Sequence, residues 1–174
     1  MTRKTAREIA VRLSFAASAA GLQAEELLES FFEPEHYATL AAEDEVFSEY
    51  PDDRQMDYIR RLILLSDEHR DEIDGHIQSY AKGWKLDRIS RTALALLRCA
   101  LCEILFMEDI PDSAAINEAV ELDKSFDEPD TVAFLNGVLG GFMRGERGAS
   151  SEAEPVPENE PETAPVPETE DASE

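Results

Sequence analysis

The segment from Asp87 to Met107 constrains this chain most. Wound at about 100° per residue, it carries Ile89, Ala93, Leu94, Leu96, Leu97, Ala100, Leu101, Ile104, Leu105 and Phe106 nearly all the way round. A helix with no polar face must be covered by other elements, so it belongs at the middle of a bundle. It is not a membrane span. The most apolar run, Ala93 to Met107, is 15 residues long and contains Arg98 and Glu103, whereas a bilayer needs about 20 apolar residues.

The flanking segments supply the cover. Residues 3–20 place Ala6, Ile9, Ala10 and Leu13 on one arc. Residues 24–33 turn Leu27, Leu28, Phe31 and Phe32 inward, and a short helix is expected around His36–Phe47, closed by Pro51. Residues 52–66 and 67–82 carry apolar stripes through Ile59, Leu62 and Ile63, and through Ile73, Ile77 and Tyr80. Trp84 and Leu86 are expected to cover the joint that follows Gly83.

Two more helices are written into 110–142. Asp112 or Ser113 is placed to cap the first, and Asp130 or Thr131 the second, because their side-chain oxygens can accept from orphan N–H groups. Leu135, Val138, Leu139 and Phe142 then form one stripe. Gly140, Gly141 and Gly145 predict fraying at the end, at a cost of about 1 kcal/mol each relative to Ala. No stretch alternates with period two long enough to make a strand. The expected class is all-α, with about seven helices.

Charge divides the chain. Residues 149–174 hold nine acids, no base and nothing larger than Val among their apolar side chains. Such a composition cannot bury enough surface to order itself, so 148–174 reads as a disordered acidic tail and 1–147 as one domain. Without the tail's nine acids the net charge of −23 becomes −14. That excludes a surface coated with positive charge but leaves room for a local basic patch. Arg3, Lys4 and Arg7 form such a patch on the first helix, at the terminus where the helix dipole disfavours cations. Two cysteines and no signal peptide predict a reducing, cytoplasmic setting.

The sequence carries no catalytic constellation. Cys99 and Cys102 form a C-x-x-C in mid-helix without a second pair, so neither zinc nor redox spacing is met, and both read as core thiols. His36, His69 and His76 lack ligand spacing. Glu118 and Glu121 read as a solvated face, and Asn117 and Asn136 lie near apolar helix faces. Arg98, inside the apolar helix, needs an acid, with Glu103, Glu118 or Asp123 as candidates. No enzyme, metal or cofactor is expected.

AINEAVELDKSF followed by FLNGVL resembles the signature of the NusB antitermination family. LLRCALCEI is similar to the family's LR-x-A-x-YEL segment, Trp84 with Leu86–Ile89 to its lead-in, and RKTAREIAVRLSF to its arginine-rich opening. The resemblance covers about residues 3–145. It implies a helical RNA-binding fold of two small packed bundles. It implies a transcription antitermination factor that binds box A of nascent ribosomal RNA together with ribosomal protein S ten. That complex joins the RNA polymerase elongation complex with other Nus factors. Carried over by position, RNA contacts fall on Arg3, Lys4, Arg7, Asp130, Phe134 and Asn136, and ribosomal-protein contacts on Phe15, Ala93 and Leu94.

The chain departs from the pattern where Phe15 and Cys102 replace tyrosines and where Ala93 and Leu94 replace an acid and a base. The loss at Ala93 and Leu94 predicts fewer polar partner contacts, and an opening shorter in basic residues than the family's predicts weaker RNA binding alone. The rival readings are a protein–protein scaffold without strong RNA binding, and an accessory module of ribosomal RNA maturation.

Overall fold

The computed structural model describes residues 1–148, so the tail beyond Gly148 lies outside the described residues. Eight α-helices follow one another: α1 (Arg3–Ala20), α2 (Ala24–Phe31), α3 (Pro34–Leu40), α4 (Asp53–Glu68), α5 (Arg70–Tyr80), α6 (Arg91–Phe106), α7 (Asp112–Asp123) and α8 (Pro129–Glu146). Glu45–Phe47 and Leu86–Arg88 are single 3-10 turns. Among the described residues there is no strand.

The apolar helix takes the place its composition demands. α6 packs against α1 and α4, which also pack on each other, and against α5, α7 and α8. Ten of its sixteen residues are buried. It starts later than expected, because Ser90 caps it by accepting from the Ala93 N–H (3.0 Å). The preceding Asp87 belongs to the 3-10 turn.

Local signals set the other boundaries. Thr2 caps α1 through the Thr5 N–H, and Gly21 ends it in the left-handed region at φ +65°, where a residue without Cβ carries no steric penalty. Asp52 and Gln55 form a reciprocal capping box on α4. The segment 34–51 is not one short helix. It breaks into α3 and a turn, packed as a corner of Phe31, Phe32, Tyr37, Phe47 and Tyr50 with ring centroids 5.0 to 6.3 Å apart. The Tyr37 and Tyr50 hydroxyls donate to the carbonyls of Glu49 and Phe32.

Both expected caps of the 110–142 region move. α7 has Pro111 at its cap without a side-chain bond, and Asp112 lies inside the first turn, where an acid suits the dipole. α8 is capped by Glu128 and begins with Pro129. Proline fits there because the N–H it lacks has no partner at that position. Nor does α8 fray at its glycines. It runs to Glu146, and Gly145 lets Tyr80 of α5 come close: a Cβ on Gly145 would overlap the Tyr80 hydroxyl, whereas one on Gly141 would make only an ordinary contact with the ring, at 3.4 Å. That hydroxyl donates to Glu146 (2.9 Å).

Candidate nucleic-acid interface

The three cations expected on one solvated stripe of α1 separate. Arg3 and Lys4 are exposed, but Arg7 is only 4 % exposed. Its guanidinium forks onto Glu103 of α6, with Nε 3.1 and 3.2 Å from the two carboxylate oxygens and Nη2 2.8 Å from Oε1. Glu103, 1 % exposed, also accepts from the Tyr58 hydroxyl of α4 (2.6 Å). Burial opposes the Arg7 charge, yet the hydrogen bonds and charge of Glu103 hold its pKa above the ordinary value. Burial, followed by the Glu103 charge, likewise raises the Tyr58 phenol. Arg7 is therefore a clamp joining α1, α4 and α6 and not a solvent-facing cation. The apolar arc of α1 rotates Arg7 inward, and only the acid on α6 makes that tolerable.

Arg3 rides over the Tyr58 ring, 5.1 Å from its centroid. Lys124 bonds Glu121, and that bond, with the charge of Lys4 adding to it, holds the Glu121 carboxyl below its usual range. Glu118 lies 3.8 Å from Arg7. Glu118 and Glu121 of α7 therefore lie near the cations at the start of α1.

On α8, Asp130 is exposed in the first turn and Phe134 is half-buried against Trp84, with centroids 5.6 Å apart. Asn136 is exposed in a groove with Val120, Lys124, Asp127 and Val132. At about 100° per residue, Asp130 and Phe134 share a face, while Asn136 points about 160° away from Phe134. The structure thus gathers Asp130 with Phe134 and places Asn136 beside α7.

Of the three expected partner residues, two meet. Phe15, 37 % exposed, and half-buried Leu94 line one groove with Leu86, Ile89 and Arg98. A more apolar groove continues on the other side of Phe15 past Val11, Arg12, Phe47 and Phe126. Ala93 is fully buried and its N–H is taken by Ser90, so it belongs to the core. Arg98 bonds Asp74 of α5 (2.7 and 2.8 Å) and not Glu103, Glu118 or Asp123.

Two features are not legible in the sequence. Trp84, expected to cover a joint, is 51 % exposed. Asp123 is fully buried and neither carboxylate oxygen has a hydrogen-bond partner. The cysteines are core residues as expected: burial pushes the Cys99 thiol up to about 12 and raises that of Cys102. Among the described residues no three His, Cys, Asp or Glu group to hold a metal, and no helix is long and apolar enough to cross a membrane.

Comparison with known proteins covers nearly the whole described chain. The NusB family model matches residues 4–144. A transcription antitermination protein NusB of Symbiobacterium thermophilum is 36% identical over 160 residues, spanning 90% of this chain and 98% of that protein. Its counterpart from Clostridium botulinum (strain Kyoto / Type A2) is 37% identical over 143 residues, spanning 82% and 100%. The solved T. maritima NusB superposes with a TM-score of 0.68 at 26% identity, covering 83% of this chain and 92% of that one. The NusB of a complex with NusE and dsRNA shares the fold, with a TM-score of 0.67 at 21% identity over 82% and 96% of the two chains. With the helical packing around α6 and these matches together, the chain belongs to the NusB family of transcription antitermination proteins.

Proposed function

We propose that this chain is a non-catalytic adaptor of transcription antitermination in the cytoplasm. It binds box A of nascent ribosomal RNA together with ribosomal protein S ten and joins the RNA polymerase elongation complex with other Nus factors. The observation that carries the RNA reading is the start of α1. Arg3 and Lys4 are exposed at a helix N-terminus, where cations cost stability, about 0.3–1 kcal/mol each. Directly behind them Arg7, Glu103 and Tyr58 fix that turn to the core.

The roles proposed by resemblance are compatible with this geometry. Arg3 and Lys4 hold phosphates, and Arg7 is a positioning residue that sets their direction. Phe134 offers a ring for base stacking and Asn136 an amide for base edges, the side-chain types that read single-stranded RNA. Asp130, an acid, accepts from a base amino group and not from the backbone. Phe15 and Leu94 supply an apolar seat for the ribosomal protein. Glu118 and Glu121 lie close to the cations and repel phosphate, which fits a protein that binds RNA weakly until its partner adds contacts.

The test is fluorescence anisotropy with labelled box A RNA, with and without ribosomal protein S ten, across a salt series. Replacing Arg3 and Lys4 by Ala should weaken binding and lower the slope of log affinity against log salt by about 0.7 for each phosphate no longer neutralised. Unchanged affinity and slope would remove the RNA assignment from α1 and favour the scaffold reading.

A further inference from the structure

Trp84 is the chain's one tryptophan and stands 51 % exposed on the loop between α5 and α6. Core packing does not account for an indole left in water, yet the loop that carries it is firmly built. Gly83 takes φ +79°, a conformation other residues resist. The Trp84 N–H donates to the Ala81 carbonyl (3.0 Å). Gln78 straps the loop from α5: its amide donates to the Trp84 carbonyl (2.6 Å) and its oxygen accepts from the Leu86 N–H (3.3 Å). The indole leans on Phe134 at an interplanar angle of 57°.

The charge around it is unusual for so acidic a chain. Residues 82–91 hold Lys82, Lys85, Arg88 and Arg91 against the single acid Asp87, and all five are exposed. Among the described residues none of these four cations lies within 4.0 Å of a carboxylate. Residues 3–12 carry the same four-to-one ratio, but there Arg7 is consumed by Glu103 and Arg12 by Glu8 and Asp44. Arg91 lines the Phe15 groove, which leaves the exposed Lys82, Lys85 and Arg88 within four residues of Trp84 along the chain.

We propose that the 82–88 loop is a second RNA-contact point, in which an unpaired base stacks on Trp84 beside Phe134 while Lys82, Lys85 and Arg88 hold the neighbouring phosphates. An aromatic platform edged with free cations is the chemistry that binds single strands. The residues next to the indole in the chain, Gly83 and Lys85, offer no apolar patch for a lipid surface. The inference rests on the RNA reading above and extends it from the α1 start, past α8, to the α5–α6 loop.

The single tryptophan gives a direct readout. The full chain with ribosomal protein S ten would be titrated with single-stranded RNA carrying box A and several flanking nucleotides on each side. Intrinsic Trp84 fluorescence would be followed alongside anisotropy, the protein partner being excited in a separate blank. Stacking should quench the indole. W84A should weaken binding about tenfold, within the usual worth of one stacked base, while W84F keeps most of it. K85A with R88A should reduce the salt slope and leave thermal melting by circular dichroism unchanged. If the Arg3 and Lys4 variants lose affinity but W84A does not and the indole is not quenched, the platform is wrong and the RNA reading stands. If no variant changes RNA binding, or RNA does not bind at all, both fail. Quenching by anionic vesicles or an acidic peptide but not by RNA would overturn the assignment.

Discussion

Replacing Arg7 by Ala tests whether this arginine is a clamp or an RNA ligand. The substitution leaves Glu103, 1 % exposed, with the Tyr58 hydroxyl as its remaining donor, having removed three bonds of 2.8 to 3.2 Å. Stripping one partner from a buried ion pair costs about 3–5 kcal/mol, because the other charge is stranded. In a chain of this size 1 kcal/mol moves the melting temperature by about 2–4 °C, so a fall of roughly 6–20 °C is expected in circular-dichroism melts. Urea titration should show a lower midpoint. The triple variant Arg7→Met, Glu103→Leu, Tyr58→Phe removes charge and hydroxyl together and should recover much of the stability, since apolar replacement of a buried pair is often neutral. That recovered protein should bind box A RNA with the parent's salt slope. A slope lower by about 0.7 would mean that Arg7 touches a phosphate. An unchanged melting temperature in Arg7→Ala would mean that the clamp contributes nothing to stability. Either result refutes the reasoning.

Two further outcomes are expected. Burial first, then the nearby negative charge of Asp127, push the Asp123 carboxyl up to about 7, whereas in the unfolded chain it ionises near 4. Between those values the unfolded chain has released a proton that the native state keeps, so stability falls as pH rises through that window, by on the order of 2–4 kcal/mol. Asp123→Asn, which is neutral at any pH, should melt higher than the parent at pH 8 and close to it at pH 4; parallel pH profiles would refute this. Gly145→Ala should destabilise, because the new Cβ displaces Tyr80 from Glu146. In a Tyr80→Ala background the same change should stabilise, by up to the helix-propensity gain of about 1 kcal/mol; equal effects in the two backgrounds, measured by urea denaturation, would rule out the close approach.

How far the sequence can be read depends on the range of the interaction. Periodicity locates the helices because burying one face is a demand each segment meets locally. Boundaries are less legible. The side chains able to cap, Asp112, Ser113, Asp130 and Thr131, lie one to three residues past the actual caps, Pro111 and Glu128. There the prolines, which fit a first turn without any donor, decide where the helices start. Gly145 of α8 looks like a weak point in the sequence because its worth depends on a ring from another helix.

The candidate site is legible in the sequence only as a set of positions. The charge pattern supplies Arg3 and Lys4 and the resemblance adds Phe134 and Phe15, but neither says which side chains face water. Arg7 and Ala93 go inward, Phe134 and Asn136 part to different faces of α8, and Trp84, expected as cover, stands half in the open. Arg98 likewise finds Asp74 on α5 and none of the acids expected for it.

The sequence by itself determined that the chain is helical, that the apolar segment ending at Met107 must lie at the centre, and that one basic helix start stands out against an acidic body. Those are consequences of spacing and composition, which act along the chain. Only the tertiary structure decided that Glu103 draws Arg7 out of the basic stripe and that Gln78 and Phe134 hold Trp84 outward. Those outcomes depend on how helices cross, which sets side chains far apart in sequence within bonding distance.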